Sequence, residues 1–297
     1  MGGYVEEFEK RLARYIGAEY AVATSSGTAA LHIALRVVGV KPGDEVVTVP
    51  LTFVATCNAI RYCGGNPVFV DVERQTLGLC PESLGAFLEN NTEIRNDGLC
   101  WNRNTNKVIR ACVPVHNLGH PVRINEIRTL CAQHNIHLVE DSAESLGSFY
   151  NGIHTGSFGK LGILSFNGNK IITTGGGGAI ISDDEALVRR AKHLTTTAKM
   201  HHPWLFLHDD VGFNYRLPNI NAALGCGQLE QLVKYVDVKR MLAKRYQEFF
   251  SNFEEIENFS EPIGACSNYW LNAIILKDKK ERDEFLLFSN CCFYFSD

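Results

Sequence analysis

The chain has 297 residues, of which 45% are hydrophobic, 21% charged and 10% aromatic, the proportions of an ordinary globular protein. This length allows one large domain with a full hydrophobic core plus part of a second, and it excludes a small binding module. The formal net charge of -4, with acidic and basic residues interspersed, offers no positive field to nucleic acid or to an anionic membrane, so neither is expected as a partner.

The lack of a signal-peptide pattern and the spacing of the cysteines both indicate a reducing compartment. No stretch is apolar for long enough to span a bilayer, and the first residues lack the basic region and apolar core of a signal peptide. The ten cysteines are scattered without a Cys-x-x-Cys pair, which favours reduced, mostly buried thiols over disulfides or a metal site. We therefore expect a cytoplasmic protein without a metal.

Hydrophobic periodicity predicts the first elements of the chain. Apolar residues recur at helical spacing over residues 4–16, and Gly17 follows as a helix stop. A strand at residues 20–23 is predicted next, followed by a tight turn at residues 25–27 and a second helix. The chain thus begins with a helix and then a strand–turn–helix unit.

The alternation of strands and helices then continues. Further elements are predicted as follows: strand 45–49, helix 56–62, strand 67–70, strand 108–115, helix 123–135, strand 136–141, a strand-containing segment 163–184 and helix 185–194. Such alternation is typical of an α/β fold with a mostly parallel central sheet covered by helices.

The remaining segments define the predicted domain organisation. Residues 90–107 are polar and aperiodic and are interpreted as a surface insertion, and apolar spacing over residues 223–236 predicts a long helix leading out of the domain. We predict a large α/β domain at residues 1–236 and a partial small domain at residues 237–297, which ends in the apolar tail CCFYFSD.

A possible anion site lies in the first strand–helix turn. In a parallel sheet, ligands gather at the carboxyl ends of strands, where helix N-termini present free amides. Ser26, Gly27 and Thr28 occupy such a position, and their small size and hydroxyls suit a phosphate. On this triplet alone, a plain turn with a capping hydroxyl is the stronger interpretation.

Two charged residues could carry chemistry. Asp141 follows the strand at residues 136–139; it could cap the next turn or face a protonated pyridine nitrogen of a cofactor. Lys170 is flanked by small and apolar residues; it could be a solvated surface charge or, in a desolvated pocket, form a Schiff base with an aldehyde. The glycines at 175–178 do not match a dinucleotide-binding fingerprint.

Three histidines in the segment KMHHPWLFLHDD invite a metal interpretation. The spacing of His201, His202 and His208 matches no standard zinc signature, which argues against a metal site; the alternative is that some of these side chains line a substrate pocket.

Eight segments, taken in order, resemble the DegT-type sugar aminotransferases over about residues 3–285. They are ATSSGTAALHIAL, TVPLTFVATCNAI, PVFVDV, PVHNLGHP, LVEDSAESLGS, FGKLGILSFNGNK, GGGGAIIS and VGFNYRLPNINAALGCGQLEQL. The resemblance implies a fold-type-I architecture, pyridoxal 5'-phosphate as cofactor and a homodimer with a shared active site. An active enzyme would be an aminotransferase.

The resemblance also implies a role for individual residues. Lys170 matches the Schiff-base lysine, and Asp141 the carboxylate facing the pyridine nitrogen. The other matches are Phe53, which stacks on the ring; Gly27 and Thr28 in the phosphate turn; Ser165, which supports the phosphate; Glu144, where the family often has Gln or His beside the ring hydroxyl; and Asn214, which reaches in from the neighbouring subunit.

The segments HLTTTAK and HDDVGFNYRLPN are most similar to the branch that aminates nucleotide-linked sugars in legionaminic-acid-type pathways. This implies a UDP-4-keto-6-deoxy-N-acetylhexosamine as substrate and glutamate as amino donor, in surface-polysaccharide or nonulosonate biosynthesis. Both ends depart from the family pattern, which predicts truncated termini. Two alternatives follow: a sugar dehydratase, against which Lys170 argues because histidine replaces the lysine there, and an inactive paralogue with a ligand-binding or regulatory role.

Overall fold

The computed structural model describes residues 2–294, with side chains described as far as residue 290. The helices are α1 (Gly3–Ile16), α2 (Gly27–Val37), α3 (Ala55–Tyr62), α4 (Pro81–Asn91), α5 (Ile124–Gln133), α6 (Glu185–Thr195), α7 (Asn219–Leu229), α8 (Leu232–Phe250) and α9 (Lys279–Tyr294). A short 3-10 turn spans Asn117–Gly119.

Strands β1 to β7 are β1 (Tyr20–Thr24), β2 (Glu45–Thr48), β3 (Asn66–Phe69), β4 (Thr92–Ile94), β5 (Cys100–Asn102), β6 (Lys107–Cys112) and β7 (His137–Asp141). The later strands are β8 (Phe149–Tyr150), β9 (Ile153–His154), β10 (Leu161–Ser165), β11 (Gly178–Ser182), β12 (Glu257–Asn258), β13 (Ala265–Cys266) and β14 (Ile274–Ile275).

The main sheet has the order β1-β11-β10-β7-β6-β2-β3, with β5 added to β6 and β4 to β5. The pairs from β10 to β3 are parallel, whereas β11 is antiparallel to both of its neighbours. Because two antiparallel pairings restore the direction, β1 runs the same way as β10. The predicted α/β class with a mostly parallel sheet is confirmed.

Both faces of this sheet are covered by helices. Successive strand residues point to opposite faces, so Ile163 packs with Leu31 of α2 while the next residue, Leu164, packs with Phe8 of α1. Burial on both sides explains why the strands read as continuous apolar runs.

Two predictions about local structure were wrong. The presumed insertion at residues 90–107 forms the β4–β5 hairpin, whose turn contains Gly98 with a positive φ of 75°; the Asn-Asp-Gly sequence at 96–98 is a turn signal that the polar composition masked. The single long helix over 223–236 is two helices, separated at residues 230–231. Cys226 and Val236 lie in the same core cluster, so the apolar spacing continues across the break.

Three further expectations concern the thiols, the membrane and the tail. The eight cysteines described by the structure carry free thiols, five of them buried. Within residues 2–294, no helix combines the length and apolar character that crossing a membrane requires. In the predicted apolar tail, residues 295–297 and the side chains from residue 291 onward lie outside the described part of the chain.

Glu140 is a fully buried carboxylate that anchors the turn before β10. Its Oε1 accepts the backbone N–H groups of Phe158 at 2.6 Å and Gly159 at 2.7 Å, and its Oε2 accepts that of Gly156 at 2.9 Å. His116 Nε2 lies 3.1 Å from the same Oε2. Since strand residues alternate in direction, Glu140 points away from its neighbour Asp141.

We expect Glu140→Gln to lower the free energy of unfolding by about 3 kcal/mol, because an amide nitrogen cannot accept these buried N–H groups. Urea unfolding followed by circular dichroism measures this loss. Glu89→Gln, at an exposed position on α4, is the control and should leave the midpoint unchanged. A Glu140→Gln protein as stable as the wild type would contradict an anchoring role.

Candidate active site

The carboxyl ends of three strands meet at one edge of the sheet. β1, β7 and β10 run in the same direction and end at Thr24, Asp141 and Ser165. A cavity of about 300 Å³ lies at this edge, and we call it the site cavity. Seven of the eight predicted site residues line it: Gly27, Thr28, Phe53, Asp141, Glu144, Ser165 and Lys170.

One end of the site cavity is the N-terminus of α2. The Ser26 hydroxyl accepts the backbone N–H of Ala29 at 3.0 Å and so caps the helix, while Gly27 and Thr28 form its first turn at the cavity wall. A Cβ added at Gly27 would lie 2.8 Å from the Cβ of Ser165, so only glycine allows this close approach. The free amides and positive dipole end of a helix favour an anion here.

Asp141 supplies a buried carboxylate to the site cavity. Its Oδ2 accepts the Thr56 hydroxyl at 2.8 Å, and its Oδ1 accepts the Ala143 N–H at 3.2 Å. Burial raises the pKa of this carboxyl, while the bond from Thr56, the N–H of Ala143 and the charge of Lys170 oppose the rise. The carboxylate is thus held in a fixed orientation by two donors.

Lys170 supplies the amine. Its side chain is 13% exposed, and its Nζ lies 3.6 Å from Glu144 Oε1. The same Nζ lies 3.8 Å from the centroid of the Trp270 ring. Burial lowers the pKa of Lys170, although Glu144 and Asp141 oppose the change. More free amine is therefore present near neutral pH than on an ordinary lysine.

Glu144 and Phe53 complete the predicted set within the site cavity. Glu144 Oε2 accepts the Leu118 N–H at 2.8 Å, and burial raises the pKa of its carboxyl. Phe53 lies on the rim with 71% of its surface exposed, so one face of its ring is open to a ligand.

Asn214 lies outside the site cavity of its own chain. It is exposed, and its Oδ1 accepts the Arg216 Nε–H at 3.1 Å. Its predicted contact is with a neighbouring subunit, and this contact stays a prediction.

The histidine-rich segment forms no converging donor set among residues 2–294. His202 Nδ1 accepts the Leu205 N–H at 2.9 Å, and His208 Nδ1 lies 2.8 Å from the Thr197 carbonyl. The described residues do bring Glu73, Cys80 and Glu82 together, but Arg123 already donates to both carboxylates.

Thr56 and Trp270 are among the residues of the site cavity that the sequence did not predict. Thr56 lies three residues after Phe53, and its position in the same motif was the available signal. Trp270 belongs to the predicted small domain at residues 237–297, and no local pattern shows that its segment folds back onto Lys170.

Comparisons with known proteins agree with this geometry. The sequence profile of the DegT/DnrJ/EryC1/StrS aminotransferase family matches residues 1–290. The chain is 39% identical over 279 residues to EpsN of Bacillus subtilis, whose name is that of a pyridoxal phosphate-dependent aminotransferase; the match covers 93% of this chain and 68% of EpsN. It is 34% identical over 283 residues to the GDP-perosamine synthase of Escherichia coli O157:H7, covering 95% of this chain and 72% of that protein.

A solved structure shows the same architecture. The chain superposes on DesV of S. venezuelae, solved in complex with a ketimine intermediate, with a TM-score of 0.83 and 28% identity. The superposition covers 95% of this chain and 71% of DesV. The fold-type-I class implied by the resemblance is confirmed, and the chain belongs to the DegT/DnrJ/EryC1/StrS family of pyridoxal phosphate-dependent aminotransferases.

Proposed function

We propose that this enzyme transfers an amino group from glutamate to the keto carbon of a nucleotide-linked deoxy sugar, with pyridoxal 5'-phosphate attached to Lys170. The observation that carries the proposal is that Lys170, Asp141 and the N-terminus of α2 all line the site cavity. The name of one relative, GDP-perosamine synthase, supports a nucleotide sugar as the acceptor class.

The chemical groups that line the site cavity fit the groups of the cofactor. The first turn of α2, with Gly27, Thr28 and Ser165, suits the phosphate group. A Cβ at Gly27 would lie 2.8 Å from the Cβ of Ser165, so glycine lets the Ser165 hydroxyl approach this turn. The amine of Lys170 suits Schiff-base formation with the aldehyde of the cofactor, and the carboxylate of Asp141 suits pairing with its protonated ring nitrogen.

We expect Gly27→Ala to weaken binding of pyridoxal 5'-phosphate by about tenfold, roughly 1.4 kcal/mol, because the added methyl group pushes Ser165 out of the cradle. Equilibrium titration monitored by absorbance measures the dissociation constant. Gly168→Ala is the matched control, since a Cβ there meets nothing within 4 Å. Equal affinities for both variants would remove Gly27 from the phosphate site.

When bound, the cofactor supplies an electron sink that stabilises negative charge at a carbon next to nitrogen. Lys170 Nζ is well suited to take a proton from the α-carbon of the amino donor, and it would pass that proton to the C4′ carbon of the bound cofactor, since burial lowers the pKa of Lys170. Asp141, held by Thr56 and Ala143, would keep the ring nitrogen of the bound cofactor protonated. The indole of Trp270 covers one side of Lys170 and excludes water from it.

The substrate is, in this proposal, a UDP-4-keto-6-deoxy-N-acetylhexosamine of a legionaminic-acid-type route, in surface-polysaccharide or nonulosonate biosynthesis. The segments HLTTTAK and HDDVGFNYRLPN support this branch. The chain would comprise a large domain at residues 1–236 and a small domain that begins at residue 237.

We also propose a homodimer in which Asn214 completes the partner's site. Asn214 follows a segment in which Trp204 is 80% and Phe206 is 78% exposed. Large apolar side chains at such exposure favour an interface. Sedimentation equilibrium of the full chain tests this arrangement.

A single-turnover assay tests the proposed reaction. The protein carrying the aminated cofactor is mixed with a panel of UDP-, GDP- and TDP-linked keto sugars, and amino-sugar formation is followed by mass spectrometry. We expect transfer to a UDP-4-keto-6-deoxy sugar and slower transfer to the others. Cofactor attachment to Lys170 without transfer to any keto sugar would favour a ligand-binding role instead.

A further inference from the structure

Trp270 lies against Lys170 although 100 residues separate the two in sequence. Its ring centroid is 3.8 Å from Lys170 Nζ, and Trp270 itself is 8% exposed. Trp is the aromatic residue that attracts a cation most strongly, and a desolvated contact of this kind is stronger than an exposed one. The contact is therefore suited to hold an ammonium group in place.

The indole is fixed from two sides. Its Nε1–H donates to the Asn169 carbonyl at 2.7 Å, which ties the ring to the residue before Lys170. Its backbone N–H donates to Asn268 Oδ1 at 2.8 Å, and its carbonyl accepts from Lys239 Nζ at 3.0 Å. The ring can therefore not rotate away from Lys170 without breaking a partly buried hydrogen bond.

The backbone beside Trp270 is held in an uncommon conformation. Tyr269 has a positive φ of 48°, in the left-handed region that bulky residues rarely adopt. Asn268 compensates by donating from its Nδ2 to the Glu144 and Leu146 carbonyls, both at 2.9 Å. This network connects Trp270 to the same turn that carries Glu144, the other contact of Lys170.

We propose that Trp270 is a positioning residue, which with Glu144 holds the Lys170 ammonium between an aromatic face and a carboxylate and aims it into the site cavity. This inference rests on the proposed role of Lys170 in binding the cofactor. It assigns to the C-terminal part of the chain a direct part in preparing the reactive amine. The charged groups that face this ammonium are Glu144, at 3.6 Å, and Asp141.

The test measures the pH at which Lys170 becomes reactive in the full chain after the cofactor has been removed with hydroxylamine. Each protein is pulse-labelled with an amine-selective acetylating reagent across a pH series, and labelling of the Lys170 peptide is quantified by mass spectrometry. Removing a contact that favours the ammonium lowers the pH at which labelling of Lys170 is half-maximal. At a fixed pH below this midpoint, we expect Trp270→Phe to raise the fraction of Lys170 present as free amine about twofold, and Trp270→Leu about fivefold.

Simple loss of cover has a different signature. It admits water, which favours the ammonium and raises the midpoint, and it increases the labelling rate at high pH. An unchanged or raised midpoint in Trp270→Phe therefore overturns the proposal. Because this substitution is conservative, the test holds even if Trp270→Leu folds poorly. Trp101→Phe is the control. The Trp101 ring centroid lies 4.4 Å from Cζ of Arg95, and Trp101 does not line the site cavity.

The outcome is separate from that of the proposed function. The midpoint is measured on protein without cofactor, so the change caused by a Trp270 substitution does not depend on cofactor binding. Failure of the cofactor to attach to Lys170 would instead contradict the proposed function and leave the measured midpoint as it is.

Discussion

We expect Lys170→Arg to abolish covalent attachment of pyridoxal 5'-phosphate and to lower amino-transfer turnover by at least about 10³-fold. Arginine keeps the positive charge opposite Glu144 and Trp270, but its guanidinium stays protonated and cannot act as nucleophile or base. Absorbance of the purified protein after addition of the cofactor reports attachment. A transfer assay with glutamate reports turnover.

Lys160→Arg is the matched control for this change. Lys160 is exposed and precedes β10, whereas Lys170 follows the same strand at the opposite end. We expect the control to keep both attachment and turnover. A Lys170→Arg protein with wild-type turnover would exclude Lys170 as the reactive amine.

The second large effect is expected for Asp141→Asn, with a loss of turnover of about 10²- to 10³-fold. The amide has nearly the shape of the carboxylate and can still bond to Thr56 and Ala143, so the fold should be kept. It lacks the negative charge that keeps a facing ring nitrogen protonated, so the cofactor withdraws electrons less strongly. Steady-state kinetics at saturating cofactor measures the loss.

Glu144→Gln provides the comparison within the same cavity. It makes the same carboxylate-to-amide change at a residue that contacts Lys170 and the Leu118 N–H. We expect its turnover to fall less than that of Asp141→Asn, because Glu144 contacts the Lys170 amine, whereas Asp141 is the residue proposed to pair with the ring nitrogen. A larger loss in Glu144→Gln would reverse the roles given to the two carboxylates.

The alternating strands and helices could be predicted because their signals are local, whereas the roles of Phe53, Glu144 and Ser165 came only from the family resemblance. The strand that ends at Asp141 could be located from its apolar run, and parallel strands bring their carboxyl ends to one edge. The glycine and hydroxyls at the start of α2 likewise mark a helix N-terminus. The resemblance to the family then placed Lys170 among these residues.

The residues that were missed depend on long-range contacts. Trp270 reaches Lys170 only because Asn268 bonds to the turn at Glu144 and Leu146, and no periodicity encodes that contact. The prediction of one helix over residues 223–236 was wrong for a related reason. Residues on both sides of the break pack on one core cluster, so their spacing resembles a single helix.

Reduction of the holoenzyme with borohydride, followed by peptide mapping, tests the cofactor assignment most directly. The account predicts that pyridoxal phosphate becomes irreversibly attached to the peptide containing Lys170, and to that peptide alone. Well-folded protein that binds the cofactor but carries the reduced label on another lysine, or on none, would contradict it.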